Sequence, residues 1–388
     1  MKKSSVYNRD VILVMAASFF FMFSTMFVTP LVNGYARSLG ASATFAGIIV
    51  GFMSVAALVL RPIAGNMTDR FSKYGLSFAG GILILIGVLG YVVTPNSELL
   101  LLFRLINGVG YVLDTVCMTT WLAYLIPREH VGEAMGFYGL MNALAMAIGP
   151  AISINIYQTV GYRHAMLLSA LSALLMVVMI QFVGQKGQVE VQTKQKHHFK
   201  IIQKDALPVC FLITLFALPY FATQADIVTY VAQRRIDVAV GSYFLIYAVI
   251  LLVLRIVLKN LFDRVCFGWW LLASTVATAF YLVMLAIMHN NWQMTLAAAG
   301  MAVGYGIIYS VLQSTALLLA PLNEQGLASS TFYLGMDIAM SLGPILGGVI
   351  DSALPVRWYY PVMMTLVPVI ILVYAIYHRR LNNAIHNH

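Results

Sequence analysis

Apolar runs of about 20 residues recur from one end of this chain to the other, and that repetition places it in the helical membrane class. Runs of about 17 to 25 mostly apolar residues match a hydrocarbon layer roughly 30 Å thick at about 1.5 Å per helical residue, whereas barrel strands would show short alternating segments. With 61% hydrophobic and 10% charged residues over 388 positions, a soluble core is excluded. Twelve spans are predicted, at 11–34, 43–64, 75–94, 99–126, 134–157, 164–184, 207–231, 240–262, 269–288, 292–320, 327–350 and 358–377. The loops between them leave no room for a second domain. The opening MKKSSVYNRD imitates a secretory signal, but no clear small-residue cleavage site follows, so the first run is expected to stay as a span.

The formal charge of +9 could point to nucleic acid, yet its placement argues for topology instead. The tails and even-numbered loops hold 15 of the 23 Lys and Arg residues, among them Lys2, Arg9, Arg70, Lys73, Lys186, Lys200, Arg264 and Arg379. The opposite face holds only Arg37, Arg163, Arg234, Arg235 and Arg357. Both termini are therefore expected in the cytoplasm of a multi-pass plasma-membrane protein, with the lipid bilayer and a small solute as partners and no nucleic acid. Cys117, Cys210 and Cys266 stand singly, without metal or disulfide spacing, and His197 and His198 in the polar linker are expected to be solvated. No metal or cofactor is expected. The chain also lacks a phosphate-binding Gly-rich loop or a nucleophile triad, so it is expected not to be an enzyme, and any active transport must draw on an ion gradient, most simply of protons.

The most hydrophilic loop, 184–205, divides the chain, and a repeat relates the two sides. An offset of 194 residues sets Leu60, Arg61, Asn66, Asp69 and Arg70 on Leu254, Arg255, Asn260, Asp263 and Arg264. It carries on without a gap through Gly110 and Tyr111 on Gly304 and Tyr305, Pro127 on Pro321, Gly132 on Gly326, Gly149 and Pro150 on Gly343 and Pro344, and Arg163 on Arg357. The organisation expected is an N-terminal six-helix half at 1–184, a cytoplasmic linker at 185–205 and a C-terminal half at 206–388, in a monomer. Two halves of this kind are expected to pack about an axis along the membrane normal, with a cavity between them.

These residues resemble the major facilitator superfamily. The stretch Gly65, Met67, Thr68, Asp69, Arg70, Ser72, Lys73, Leu76 is similar to that family's G-x-L-A-D-R-x-G-R-x-x-L motif between helices 2 and 3, with Ser72 where glycine is usual. FRLINGVG in helix 4 resembles R-x-x-Q-G-x-G, with Asn107 for glutamine. The helix 5 stretch ending in Gly149 and Pro150 resembles the glycine-rich element of exporters that exchange solute for protons, although its closing Gly-Gly is absent. The resemblance implies an all-α twelve-helix fold. It also implies that Asp69 and Arg70 latch the cytoplasmic ends of the halves, with Asp69 near the N-terminal end of helix 11, and that Arg104 takes part in proton transfer.

An ionisable group at mid-membrane is costly and should be paired or functional. Arg104, Asn107, Tyr111 and Asp114 fall within roughly 80° on helix 4 and form one polar stripe expected to face the cavity. Arg104 could equally tie helix 4 to a neighbour. Asp114 could carry the coupled proton, bind a cationic solute, or pair with an arginine such as Arg61. Asp337, about 16 Å into helix 11, could carry a proton or close a charge network between helices 2 and 11, again with Arg61. Asp226 reads as a wetted group at the cavity mouth. Tyr305, Tyr309 and Gln313 at i, i+4, i+8 in helix 10, with Tyr138 and Asn142 in helix 5, would suit an adaptable apolar pocket with polar handles. In the second copy of the loop Lys259 replaces glycine, so Gly65 is expected to shape a tight turn that Asp263 and Arg264 lack. The function expected is secondary export of small, partly apolar molecules by a proton antiporter. The alternatives are a proton symporter for a sugar or organic acid, and a membrane receptor that binds without transport.

Overall fold

The computed structural model describes residues 7–187, 199–258, 261–262 and 264–386. His197, His198, Lys259 and Asp263 lie outside them. The described chain is all helical, and twelve of its helices are long and apolar enough to cross a membrane. They are α1 (Arg9–Val28), α2 (Ala43–Arg70), α3 (Lys73–Val93), α4 (Ser97–Leu125), α5 (131–160), α6 (162–181), α7 (Leu207–Arg234), α8 (Tyr243–Leu258), α9 (Phe267–Ala286), α10 (Asn291–Leu319), α11 (Gln325–Ala353) and α12 (Val356–Asn382).

Several ends differ from expectation, each for a local reason. The first run breaks at Thr29 and Pro30, and a short helix, Leu31–Ser38, follows, because Pro30 has no N–H to continue the ladder. Helix α2 runs on to Arg70, leaving only Phe71 and Ser72 before α3. Between α5 and α6 there is no loop, only a break at Gly161, whose φ of 78° suits glycine. In α10 the residues Ala302–Ile307 form a π-helical turn, which widens the spacing that a plain helix would give Tyr305 and Tyr309.

Contacts divide the chain into two units. One runs to Pro127 and adds Met141–Gln203 and Pro321–Ser330; the other comprises Arg128–Leu140, Lys204–Ala320 and the chain from Thr331 on. The first turns of α11 thus group with the early helices, and the first turns of α5 with the late ones.

Within each unit the same contacts recur at the repeat offset. Asn96 and Asn290 cap α4 and α10, their Oδ1 atoms accepting from Leu99 N at 3.0 Å and Gln293 N at 2.9 Å. A Cβ at Gly110 would lie 2.9 Å from Ile84 N, and one at Gly304 3.1 Å from Thr278 N, so both glycines let a fourth helix touch the backbone of a third. Gly149 meets Phe27 N at 3.1 Å and Gly343 meets Phe221 Cβ at 2.9 Å in the same hypothetical way, which brings α5 onto α1 and α11 onto α7. Pro150 and Pro344 sit inside these helices directly after those close contacts. At the far ends, Tyr35 Oη donates to Tyr91 O at 2.9 Å, and Tyr230 Oη, one residue off the repeat offset, donates to Leu285 O at 3.2 Å. Arg163 Nε and Arg234 Nη1 donate in turn to those two phenols, although the two arginines are not partners in the repeat, where Arg163 corresponds to Arg357. The duplication is therefore preserved in side-chain contacts as well as in sequence.

Candidate functional site

The cluster at the end of α2 gathers three separate parts of the chain within the first unit. Asp69 Oδ1 accepts from Gly326 N at 2.6 Å and Oδ2 from Leu327 N at 2.9 Å. A carboxylate so placed satisfies two of the orphan donors of α11 and meets the positive end of its dipole. Gly65 is not in a loop as expected: it lies in the body of α2, where a Cβ would sit 2.7 Å from Ser330 Cβ, 3.0 Å from Leu327 Cα and 3.1 Å from Gly326 O. Its role is to let α2 close onto α11, and Ser330 Oγ completes the contact by donating to Arg61 O at 2.5 Å. Lys73 is buried at the start of α3 within electrostatic reach of Asp69, whereas Arg70 is exposed.

The linker holds the same place from two sides, a feature the sequence did not announce. The carbonyls of Gly187 and Lys186 accept from Lys73 N at 3.1 Å and Tyr74 N at 3.2 Å, covering the open end of α3. Ser72 Oγ donates to Lys186 O at 3.0 Å. Asn66 Nδ2 donates to Lys200 O at 2.6 Å and its Oδ1 accepts from Lys200 N at 3.2 Å. Lys200 is ion-paired with Glu324, just ahead of α11, and Gln203 Nε2 reaches the other oxygen of Glu324 at 3.4 Å.

Helix α4 carries its polar stripe against α3, because α3 presents glycines to it. A Cβ at Gly87 would lie 2.7 Å from Asn107 Cβ, and one at Gly80 2.7 Å from Asp114 Oδ1. Arg104 is buried within interaction range of Tyr91 on α3. Tyr111 leaves the stripe: the guanidinium of Arg61 lies 5.6 Å over its ring. Arg61 also donates Nη1 to Thr115 Oγ1. Asp114 is fully buried and neither of its oxygens accepts a hydrogen bond, so the expected pair with Arg61 is not formed. Asn107 and Asn142 are buried with both amide atoms without a partner, as are Nε and Nη1 of Arg104. A charged carboxylate with no donor at that depth would cost several kcal/mol, on the order of the penalty for one buried ion.

The second unit supplies an aromatic wall. Tyr220 stacks on Tyr305 with ring centroids 4.1 Å apart, Tyr305 meets Tyr309 at 6.2 Å, and Tyr309 meets Phe332 at 5.4 Å. Gln313 Nε2 donates to Tyr333 Oη at 2.9 Å. Tyr138 and Asp337 are buried in this unit too. Asp226 is half-buried and accepts from Tyr359 Oη at 2.7 Å. Arg264 follows the end of α8 in a turn. Among the described residues no group of three or more His, Cys, Asp or Glu could hold a metal ion.

Twelve helices long and apolar enough to cross a membrane, with ionisable side chains buried inside several of them, define a multi-pass membrane protein. The model of the Major Facilitator Superfamily matches residues 14–270 and 239–384, and the chain belongs to that family. It is 20% identical to the quinolone resistance protein NorA of Staphylococcus aureus over 390 residues, 96% of this chain and 98% of that one. Among solved structures it is similar to the human organic anion transporter MFSD10, with a TM-score of 0.76 at 13% identity, over 94% of this chain and 98% of that one. The proton:xylose symporter XylE gives a TM-score of 0.70 at 15% identity, over 96% of each chain.

Proposed function

We infer that this chain is a proton-coupled antiporter of the plasma membrane, exporting small amphipathic or drug-like molecules by alternating access with both termini cytoplasmic. The observation that carries the reading is the match to a quinolone resistance protein along nearly the whole of both chains. Asp114 fits the coupling role, being a fully buried carboxyl that no neighbour neutralises. In the cycle proposed, Asp69 bound at the start of α11 holds the cytoplasmic side shut; its release lets the bundle open inward. Proton binding and release at Asp114 is then linked to solute movement, while the aromatic wall of α7 and α10 accepts the apolar part of the solute.

The test is transport by the purified protein in proteoliposomes against a panel of amphipathic solutes, with lumenal pH recorded. Antiport predicts solute movement against an imposed proton flow, and its loss in Asp114→Asn. Uptake in the same direction as protons would identify a symporter instead, and binding without any flux would identify a receptor.

A further inference from the structure

Arg61 and Arg255 occupy equivalent positions in the repeat but are satisfied differently. Arg61 has the hydroxyl of Thr115 and the ring of Tyr111. Arg255 is 1% exposed, lies 5.2 Å over the Phe262 ring, and donates Nη2 to Gly306 O, in the π turn of α10, at 2.5 Å. Its Nε and Nη1 are buried and have no acceptor. The position 194 residues after Thr115 is Tyr309, so the threonine hydroxyl that receives Arg61 is replaced by a phenol.

The surroundings of Arg255 are aromatic and small. Tyr247 and Tyr309 lie within its electrostatic reach, and no ion pair to it is formed among the described residues. On the α5 side it faces Gly136 and Gly139, where hypothetical Cβ atoms would lie 3.3 Å from Nη1 and Nη2, so the α5 backbone approaches the guanidinium closely and brings no side-chain acceptor at these positions. Gly139 also borders Ser310 Oγ, a second buried group without a hydrogen-bond partner. A guanidinium stays charged, and a buried charge without a counter-anion costs several kcal/mol, on the order of what breaking a buried ion pair costs. Nη1 beside Gly136 and the Ser310 hydroxyl beside Gly139, three residues further along α5, both lack an acceptor.

We propose that Arg255 and Ser310 form a subsite for the anionic head, a carboxylate or sulfonate, of an amphipathic solute whose apolar part lies against Tyr247, Tyr309 and Phe262. The proposal rests on the transporter reading and adds to it the charge of the solute. Planar oxyanions suit it best, because guanidinium donors and a hydroxyl match oxygens in charge-assisted hydrogen bonds.

The experiment is calorimetric binding of naphthalene-2-sulfonate and of its uncharged isostere naphthalene-2-sulfonamide to the detergent-purified full chain. The wild type is expected to bind the sulfonate about tenfold or more tightly than the sulfonamide, a difference of about 1.4 kcal/mol. Arg255→Gln should abolish that preference while leaving sulfonamide affinity within about twofold, and Arg255→Lys should keep part of it. Ser310→Ala should weaken the sulfonate alone, which keeps the test decisive if Arg255→Gln does not fold. Equal affinity of the wild type for both probes would overturn the proposal, as would an unchanged preference in the Arg255 and Ser310 variants or an equal loss for both probes. Because binding is read without a gradient, failure of proton-driven export would leave this result standing, and the reverse also holds.

Discussion

Asp69 and Gly326 lie 257 residues apart in the chain, and the carboxylate of the first accepts the backbone N–H of the second at 2.6 Å. The bond joins the end of one span to the start of another, with the matching bond to Leu327 beside it. Replacing Asp69 by Asn keeps one acceptor but turns an amide N–H toward a backbone N–H. Hydrogen bonds to charged groups are worth about 1.5–3 kcal/mol each, so the closed arrangement should lose roughly that much. Turnover of Asp69→Asn in proteoliposomes should fall about tenfold or more, with solute affinity within about twofold of the wild type. Unchanged turnover would remove Asp69 from the gating step.

The same closure depends on a missing methyl group. In Gly65→Ala the new Cβ would press on Ser330, Leu327 and Gly326, of which two contacts are backbone and cannot rotate away. Overpacking of this kind costs about 1–3 kcal/mol. The variant should melt several degrees lower and leave a cysteine placed at Leu327 more open to a membrane-impermeant maleimide. A wild-type melting temperature together with wild-type labelling would show that α2 and α11 do not need this approach.

Asn66 and Lys200 allow the contribution of the linker to be measured. The Lys200 to Glu324 pair is solvent-accessible, with side-chain exposures of 52% and 20%. Such pairs contribute about 0–1 kcal/mol, screened by salt. Lys200→Ala should therefore alter turnover by less than about threefold, and the difference should vanish at high ionic strength. Asn66→Ala removes two hydrogen bonds to the Lys200 backbone and should have a larger, salt-independent effect. Equal and salt-sensitive effects would contradict this ranking.

How much of this was legible in sequence depended on whether a signal was periodic or positional. Span number and the offset of 194 come from hydropathy and self-similarity, both summed over many residues, and the matched contacts of Gly149 with Phe27 and Gly343 with Phe221 follow that offset. The charge motif placed Asp69 beside α11 only through the family resemblance. What sequence could not supply was helix rotation and continuity. The stripe on α4 suggested a cavity face, whereas Gly80 and Gly87 draw Asp114 and Asn107 onto α3. Pairing those glycines with those polar residues would have been a usable signal, since their positions run in opposite directions along the two helices. The π turn in α10 and the single-glycine break at Gly161 depend on tertiary packing and one backbone torsion, which periodicity does not carry.

Gly80 and Asp114 offer the sharpest test of the proposed coupling site. A Cβ on Gly80 would lie 2.7, 2.8 and 3.0 Å from Oδ1, Cγ and Oδ2 of Asp114, so Gly80→Ala must push the carboxyl out of its present bed. The obstacle is a short side chain, and it can move where backbone cannot; stability should therefore fall by only about 1 kcal/mol, at the low end for overpacking. Proton-coupled transport should suffer more than stability, because the displaced carboxyl no longer meets the surroundings that govern its proton. The two changes should also be non-additive: once Asp114→Asn has abolished coupling, adding Gly80→Ala should change it no further, as expected for groups in direct contact. A control exists about two turns away, where Gly87→Ala would meet the Asn107 backbone at 3.0 Å; it should lower the melting temperature without coupling energetically to Asp114→Asn. Additive losses for Gly80→Ala and Asp114→Asn in solute-driven pH change would show that the glycine only packs the helices and that the proton is carried elsewhere.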